Sequence, residues 1–421
     1  MRSSKDTSGK KAITHLSHLD DLVIERGADG IKAFRDILSH LKSGVGTRIT
    51  QKFDGAPALV FGIDPRDGMT FVGTKSAMTS DKLVKCLGDV DRMIIPTGPR
   101  KQVAKLFEMI NGRCCLPRGY VFQLDVMVSP DTFASEVALL SSDHSNLTKH
   151  LLFTPNTITY GIPTCNPDYG KMKTAEMAGV VHTMYSVDPT DDGRLSWEQT
   201  GGPEHIADIV VQLNMIPKFF ARSAELPFTH IDLISASADV SRHAKDVRML
   251  YRIIDMIPEF IERMKVFVNS QLKEDESMGL FGKAMRGEDI DLGGLRYALK
   301  TSFSNYWQRE ADRVKTSTSK KIKLKTCGEW MAVVDAYHMQ FDSLFTAYFK
   351  MIKCKTFVHD MLVATAPDDW KTFVQSPEGL IKVPGEGFVV ITPNNTVKVV
   401  DRTTFSAWNH KLPKKFPTNK A

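Results

Sequence analysis

The residues best suited to covalent chemistry are gathered in Gln51-Lys52-Phe53-Asp54-Gly55, a lysine followed by an Asp-Gly turn and then by the apolar run Ala58 to Ile63. A lysine attacks a phosphate only as the free amine, whereas an unperturbed lysine titrates near about 10.4. A catalytic Lys52 therefore needs neighbouring cations, a metal ion or partial desolvation to lower its pKa. Lys75 and Lys398 are candidate cations, and they would also neutralise charge developing on a triphosphate. Asp125 and Glu386, each in a β-rich run, are candidates to hold ribose hydroxyls and Mg²⁺, a hard cation that commonly takes one or two carboxylates with waters and phosphates. Gly55 permits close backbone approach beside Lys52. His182 and Tyr160 are candidates to stack on a base, although aromatic side chains in β-rich segments are more often packing groups. Each residue has its ordinary alternative: a lysine before an Asp-Gly turn is common by chance, and Asp125 could be a satisfied core carboxylate.

These residues must be positioned by sheet. Short β-rich runs at Ile49, Ala58 to Ile63, Thr70 to Val72, Tyr120 to Val128 and Gly179 to Tyr185 are punctuated by Gly, Pro and Asp, and Asp64-Pro65-Arg66-Asp67-Gly68 has the turn chemistry of a hairpin. Strand character returns at Gly387 to Thr392 and Thr396 to Val400, around the turn Pro393-Asn394-Asn395. Between these regions helical periodicity dominates from about His205 to Ala364; Val247, Leu250, Tyr251, Ile254, Ile257 and Ile261 form one stripe that Pro258 bends or breaks, and Glu329 to Ala364 is a further helical run. Two short helices at the start are separated by Gly27 and Gly30. Strands that begin and end the fold must pair in one sheet, so the expected class is α+β, an antiparallel sheet domain with a large helical insertion. The expected organisation is an N-terminal helical segment at 1–45, sheet domain at 46–200, helical insertion at 201–370, and closing strands with a basic tail at 371–421.

With these motifs in order, the chain resembles the covalent nucleotidyltransferase superfamily, which comprises polynucleotide ligases and mRNA-capping guanylyltransferases, and within it is most similar to ligase-like proteins of tailed bacteriophages. Lys52-Phe53-Asp54-Gly55 resembles its Lys-x-Asp-Gly nucleophile motif, Thr74-Lys75-Ser76 a following basic motif, and Phe122-Gln123-Leu124-Asp125 its acidic strand. Gly179 to Tyr185, containing His182, stands for the next pocket strand, Glu386-Gly387-Phe388-Val389 for the Glu-Gly-x-Val motif and Lys398 for the terminal lysine. The resemblance spans both ends of the chain and skips most of the helical block. It implies an ATP-grasp-like ligase domain that uses ATP and Mg²⁺, with Lys52 as nucleophile, Gln51, Asp54, Gly55, Lys75, Asp125, His182, Glu386 and Lys398 at the nucleotide, and Asp125 and Glu386 at the metal. It further implies an ATP-dependent polynucleotide ligase that forms lysyl-AMP and joins 5′-phosphate to 3′-hydroxyl ends, RNA favoured over DNA because little chain follows Lys398 for an oligonucleotide-binding barrel. Departures from the pattern are Pro57 where Arg or Asn is usual, Lys75 for Arg, Asp125 for Glu, and Val400 for a second lysine, which Arg402 is placed to replace. Glu378-Gly379 competes with Glu386-Gly387, but only the latter leads into an uninterrupted β-rich run.

Composition sets the frame. The 421 residues are 42% hydrophobic and 25% charged, enough for two or three cores, and no run approaches the roughly 20 apolar residues that span a bilayer. The polar start Met1 to Lys11 has no signal-peptide core, so a cytoplasmic location, in an infected bacterial host if phage-encoded, and no membrane partner are expected. Six scattered cysteines without a Cys-x-x-Cys pair argue against a disulfide framework or zinc site. The net charge of +6 is modest, but Arg313, Lys315, Lys320, Lys321, Lys323 and Lys325 cluster as a nucleic-acid footprint or a solvated loop, and Lys411 to Lys420 as a solvated tail. No phosphate-loop, nucleophile-elbow or His-Glu-x-x-His motif is present. The alternatives are a guanylyltransferase or other nucleotidyltransferase, and a catalytically silent nucleic-acid-binding module.

Overall fold

Alternating apolar runs and local turn chemistry place the strands. The computed structural model describes residues 16–402, apart from 93–96, 133, 141–146, 201–202, 232–237, 273–288, 367–369, 377–378 and 384. In chain order the strands are β1 (Arg48–Gln51), β2 (Ala58–Ile63), β3 (Thr70–Thr74), β4 (Tyr120–Val128), β5 (Ser135–Leu140), β6 (Leu147–Phe153), β7 (Thr159–Pro163), β8 (Met177–Pro189), β9 (Leu195–Thr200), β10 (Phe219–Ser223), β11 (Glu225–Leu226), β12 (Lys371–Ser376), β13 (Gly379–Val383), β14 (Gly387–Ile391) and β15 (Thr396–Val400).

They form three sheets. A six-stranded sheet runs β10-β8-β4-β2-β3 with β9 on β8, a four-stranded sheet runs β11-β1-β14-β15, and a five-stranded sheet runs β13-β12-β7-β6-β5. All pairs are antiparallel except β8 with β10. The fold is thus mixed α and β on antiparallel sheets. The 64–68 turn closes the β2/β3 hairpin, with Asp64 N–H donating to Met69 O at 2.9 Å and Gly68 N–H to Asp64 O at 2.8 Å. Strands from the two ends of the chain do share a sheet: β1 pairs with β14 in the register Gln51 to Phe388.

Each sheet has its own packing partner. Ile49, Phe388, Val390, Val397 and Val399 put one face of the four-stranded sheet into the helical core, beside Phe34, Phe341 and Tyr348. The six-stranded sheet packs one face on the helices Thr97–Ile110 and Pro203–Met215, through Leu106, Phe107 and Leu213. Its other face meets the five-stranded sheet through Met127, Val180, Phe153 and Tyr160.

Three boundaries differ from those expected. Residues 203–226 join the sheets instead of opening the helical insertion, because the Ile206/Ile209/Leu213 stripe fits the six-stranded sheet and β10 and β11 pair with β8 and β1. The described part of the N-terminal helical segment is not a unit of its own. Its helix, Leu22–Ser43, turns sharply at Gly27 and buries Ile31, Phe34 and Leu38 in the helical block, and Tyr251 donates its hydroxyl to the carbonyl of Val23 at 2.9 Å. The 329–364 run is two helices, Ser317–Ala336 and His338–Thr365, that part at Tyr337. The first of these absorbs most of the basic cluster, its N-terminus capped by Thr316 Oγ1, which accepts from Ser319 N–H at 3.2 Å. The break at Pro258 is present, between helices Ala244–Ile254 and Phe260–Gln271. Among the described residues no helix is long and apolar enough to cross a membrane.

Candidate functional site

Lys52 leaves the four-stranded sheet at the end of β1. Its N–H donates to Gly387 O at 2.8 Å, and that of Gln51 donates to Ala224 O at 2.8 Å, which anchors the peptide on both sides. Lys52 Nζ donates to Glu386 Oε1, a contact between residues 334 positions apart. The lysine side chain is 30% exposed and the glutamate 11%, so the lysine remains reachable from solvent while the glutamate is largely covered. Gly387, the residue after Glu386, has φ 136°, and a Cβ there would lie 2.5 Å from Val399 O. Gly387→Ala is therefore expected to cost about 2 kcal/mol or more, measurable by urea unfolding, because both the backbone conformation and the β14/β15 ladder must give.

The charges around this pair are unequal. Burial disfavours the Lys52 ammonium, but Glu386, with Asp54 and Asp125 adding, outweighs it and holds the lysine above its usual range. Burial pushes the Glu386 carboxyl up, against the pull of Lys52. Glu386 Oε2 is buried with no hydrogen-bond partner, an acceptor left for a ligand to satisfy. Lys398 sits opposite Val389 on β15, and because Val397 and Val399 enter the helical core, alternation puts Lys398 on the other face. Burial and then the Lys52 charge lower its pKa, Lys75 and Arg402 contribute in the same direction, and Glu386 opposes them. Lys75 is exposed, just past β3.

Asp125 arrives from β4 and meets His182 of β8, Oδ1 to Nε2 at 3.2 Å. The partner of Gln123 is Thr183 but that of Leu124 is Val181, so His182 is the extra residue of a β-bulge, which aims its ring across the strand. The ring also contacts Gln123 Nε2 at 3.3 Å and Thr183 Oγ1 at 2.7 Å. Gly55 gives the close approach expected of it, since a Cβ there would lie 2.7 Å from that of Asp125. The Asp54 carboxylate is held by a neighbouring turn. Its carboxylate accepts from Asn156 Nδ2 at 2.9 Å, Thr157 Oγ1 at 2.7 Å and the N–H groups of Thr157 and Ile158 at 3.1 and 3.3 Å. It ties the 156–158 turn to the Lys52 loop. Tyr160 does not offer its face to a base: its hydroxyl accepts from Asp54 N–H at 2.7 Å, and its buried ring packs on Phe53, Phe153 and Trp370. Asn156 and Thr157 carry no sequence pattern that marks them as partners of Asp54.

Residues 13–414 match the family described as "Family of unknown function (DUF6267)". The chain belongs to that family. No curated protein and no solved structure matches it.

In this family member the remaining candidates are dispersed. Gln51 lies on β1, its Oε1 buried without a hydrogen-bond partner. Arg402, considered as the second basic residue of the last motif, is turned into the helical core, where it pairs with Asp21 and donates to Asn269 Oδ1 at 3.3 Å. Lys323 caps Trp307 at 5.1 Å, whereas Lys320, Lys321 and Lys325 are exposed. Glu378 and the tail Lys411 to Lys420 lie outside the described residues. Among the described residues no three His, Cys, Asp or Glu side chains form a metal-holding cluster. The Asp125 charge nonetheless acts on Glu386, and two carboxylates are the modest complement that suits Mg²⁺ shared with phosphates.

Proposed function

We infer that this protein is a covalent nucleotidyltransferase, and specifically an ATP-dependent polynucleotide ligase, RNA favoured as substrate, that works through lysyl-AMP on Lys52. The observation that carries the reading is the meeting of Lys52 with Glu386, with Lys398, Lys75 and Asp125 in electrostatic range, from five separate segments of the chain. These charges suit the binding of a triphosphate beside an amine. In the free protein Glu386 holds Lys52 as ammonium. Once a bound ligand engages Glu386, burial and the Lys398 charge act on Lys52 with less opposition and favour the free amine. Nζ then forms a bond to the α-phosphorus as the bond to the pyrophosphate oxygen breaks, one N–H proton passes to solvent, and Lys398 and Lys75 offset the charge on the departing pyrophosphate. Bound Mg²⁺, held by Asp125 and Glu386, would supply further charge neutralisation. Transfer of AMP to a 5′-phosphate and its displacement by a 3′-hydroxyl follow from the same family resemblance. The exposed Lys320, Lys321 and Lys325 on the helical block suit the nucleic-acid backbone.

The test is intact-protein mass spectrometry after incubation with Mg²⁺ and ATP or GTP, with pyrophosphatase present. An AMP adduct absent from Lys52→Ala is expected. A GMP adduct would move the reading to guanylyl transfer. Absence of either adduct from protein verified to be free of bound nucleotide would favour a silent binding module.

A further inference from the structure

Beside Asp125 runs a chain of polar side chains from β4 and β8 that the nucleophile chemistry above does not use. The Tyr185 hydroxyl donates to Gln123 Oε1 at 2.9 Å, Gln123 Nε2 lies 3.3 Å from His182 Nε2, and the same ring nitrogen lies 3.2 Å from Asp125 Oδ1. The other ring nitrogen, Nδ1, lies 2.7 Å from Thr183 Oγ1. Tyr185 and Gln123 are buried, and burial, with the Asp125 charge adding, pushes the Tyr185 phenol up to about 12, so it remains a donor. The Gln123 oxygen is thereby occupied, and its Nε2 is the atom that meets the imidazole.

His182 Nε2 cannot serve both neighbours. A ring nitrogen holds either a proton or a lone pair in its plane. If Nε2 accepts from Gln123, it sets a lone pair against a carboxylate oxygen; if it bears the proton, it donates to that oxygen and forgoes only a neutral amide contact. A hydrogen bond to an ionised acceptor is roughly twice as strong as one between neutral groups, so the second arrangement prevails. Nδ1 then accepts from the Thr183 hydroxyl, which rotates to suit.

Asp125 connects this chain to the nucleophile. Ala56 N–H donates to Val126 O at 2.9 Å and Val126 N–H to Pro57 O at 3.1 Å, which lays the loop after Lys52 along β4. A Cβ on Gly55 would lie 2.7 Å from that of Asp125, and the Asp125 charge acts on both Lys52 and Glu386. The backbone of Asp125 is thus fixed against the nucleophile loop, and the His182 contact fixes the rotation of its carboxylate.

We propose that His182 is a positioning residue: its Nε2–H donates to Asp125 Oδ1 and holds that carboxylate in place beside Lys52 and Glu386, so that the ring acts through Asp125 and not by stacking on a nucleobase. On the nucleotidyl-transfer reading above, on which this role rests, the rotation of Asp125 then sets the rate of adduct formation. Deleting a group that orients a working side chain from behind commonly lowers activity about tenfold to a hundredfold.

Two variants separate positioning from stacking. His182→Gln keeps an N–H donor near the place of Nε2 and removes the aromatic face, whereas His182→Phe keeps the face and removes the donor. In single-turnover adduct formation with ATP, read by intact-protein mass spectrometry, His182→Phe should lower the maximal rate about tenfold or more with half-saturating ATP little changed, and His182→Gln should recover most of that loss. The reverse order, with the rate kept by Phe and half-saturating ATP raised by Gln, assigns the ring to the base and overturns the proposal. Equal loss or equal retention in the two variants overturns it as well, since the donor would then make no difference. The hydrogen bond is read on the wild-type chain without ligand, by long-range proton–nitrogen NMR with isotope-labelled histidine, the His182 ring being assigned by its absence from the His182→Gln spectrum. A proton on Nε2 is expected, and a ring protonated on Nδ1 alone overturns the proposal. Wild-type protein that forms no adduct would sink the reading of Lys52, and the NMR result would still decide whether His182 donates to Asp125.

Discussion

Glu386→Gln should slow nucleotide-adduct formation on Lys52 on the order of a hundredfold and, at the same time, move the rising limb of its pH–rate profile to lower pH. The two effects have separate causes. The amide cannot hold a cation or accept strongly from a ribose hydroxyl as the carboxylate does, so the maximal rate falls. Adduct formation needs the free amine, and its rate therefore climbs with pH until Lys52 has titrated. Burial lowers the Lys52 pKa, but Glu386 supplies the largest opposing charge, outweighs burial and holds the amine protonated. With that charge removed, burial and the cation at Lys398 prevail to a greater extent, and the limb must shift downward. Single-turnover mass spectrometry from neutral to alkaline pH reads both quantities. A limb that stays in place or moves upward would show that the ion pair does not govern the nucleophile, whatever happens to the rate.

Asp20→Ala should destabilise the fold by about 3–5 kcal/mol, the usual cost of stripping one partner from a buried ion pair. Asp20 is fully buried, meets Lys355 Nζ at 3.0 Å and Arg402 Nη2 at 3.9 Å, and accepts from the Tyr348 hydroxyl at 3.5 Å. This network clamps the N-terminal segment to the sheet, for Leu19 N–H donates to Lys398 O at 3.0 Å and Lys398 N–H to Ser17 O at 2.9 Å. Loss of Asp20 leaves Lys355 charged and buried, so a further Lys355→Met change should restore much of the stability. If the double variant is no more stable than the single one in urea, the ion-pair account is wrong.

The same cluster sets an acid limit. Burial, with the Arg402 charge adding, lowers His18 to about 2. The unfolded chain gains a proton on this residue as pH drops through about 6.5, while the folded chain does not until about pH 2, so stability declines across that window by up to about 1.4 kcal/mol per pH unit. Burial opposes the Asp20 charge, but Arg402 and Lys355 outweigh it and depress its folded pKa below the unfolded one. Its contribution is accordingly complete above the unfolded carboxylate range, near about 4, and disappears at still lower pH. Urea midpoints for His18→Gln should be flatter than wild type between about pH 6.5 and 4, and an equal slope would remove His18 from the explanation.

Local rules were enough for the elements that carry the site. The β2/β3 hairpin, β4, and β14 with β15 were legible because strand alternation and turn residues act between near neighbours, and Pro258 announced its break because it removes a donor and clashes within one helical turn. Lys52 was legible as a lysine before an Asp-Gly turn, Asp125 and Lys398 as charged groups within β-rich runs, Glu386 as the residue that opens one, and all four by their order in the nucleotidyltransferase-like motifs. Their meeting was not derivable from spacing, since it depends on β1 pairing with β14 across more than three hundred intervening residues. Tertiary structure alone decided that Asp54 serves the 156–158 turn, that Tyr160 is packed away, that the bulge turns His182 toward Asp125, and that Arg402 faces Asp21. It also decided that residues 203–226 join the sheets and that the first helix joins the last ones. A sequence pattern reports which face of a segment is apolar; which other apolar face covers it, and where the polar atoms between them find partners, is settled only when the whole chain closes.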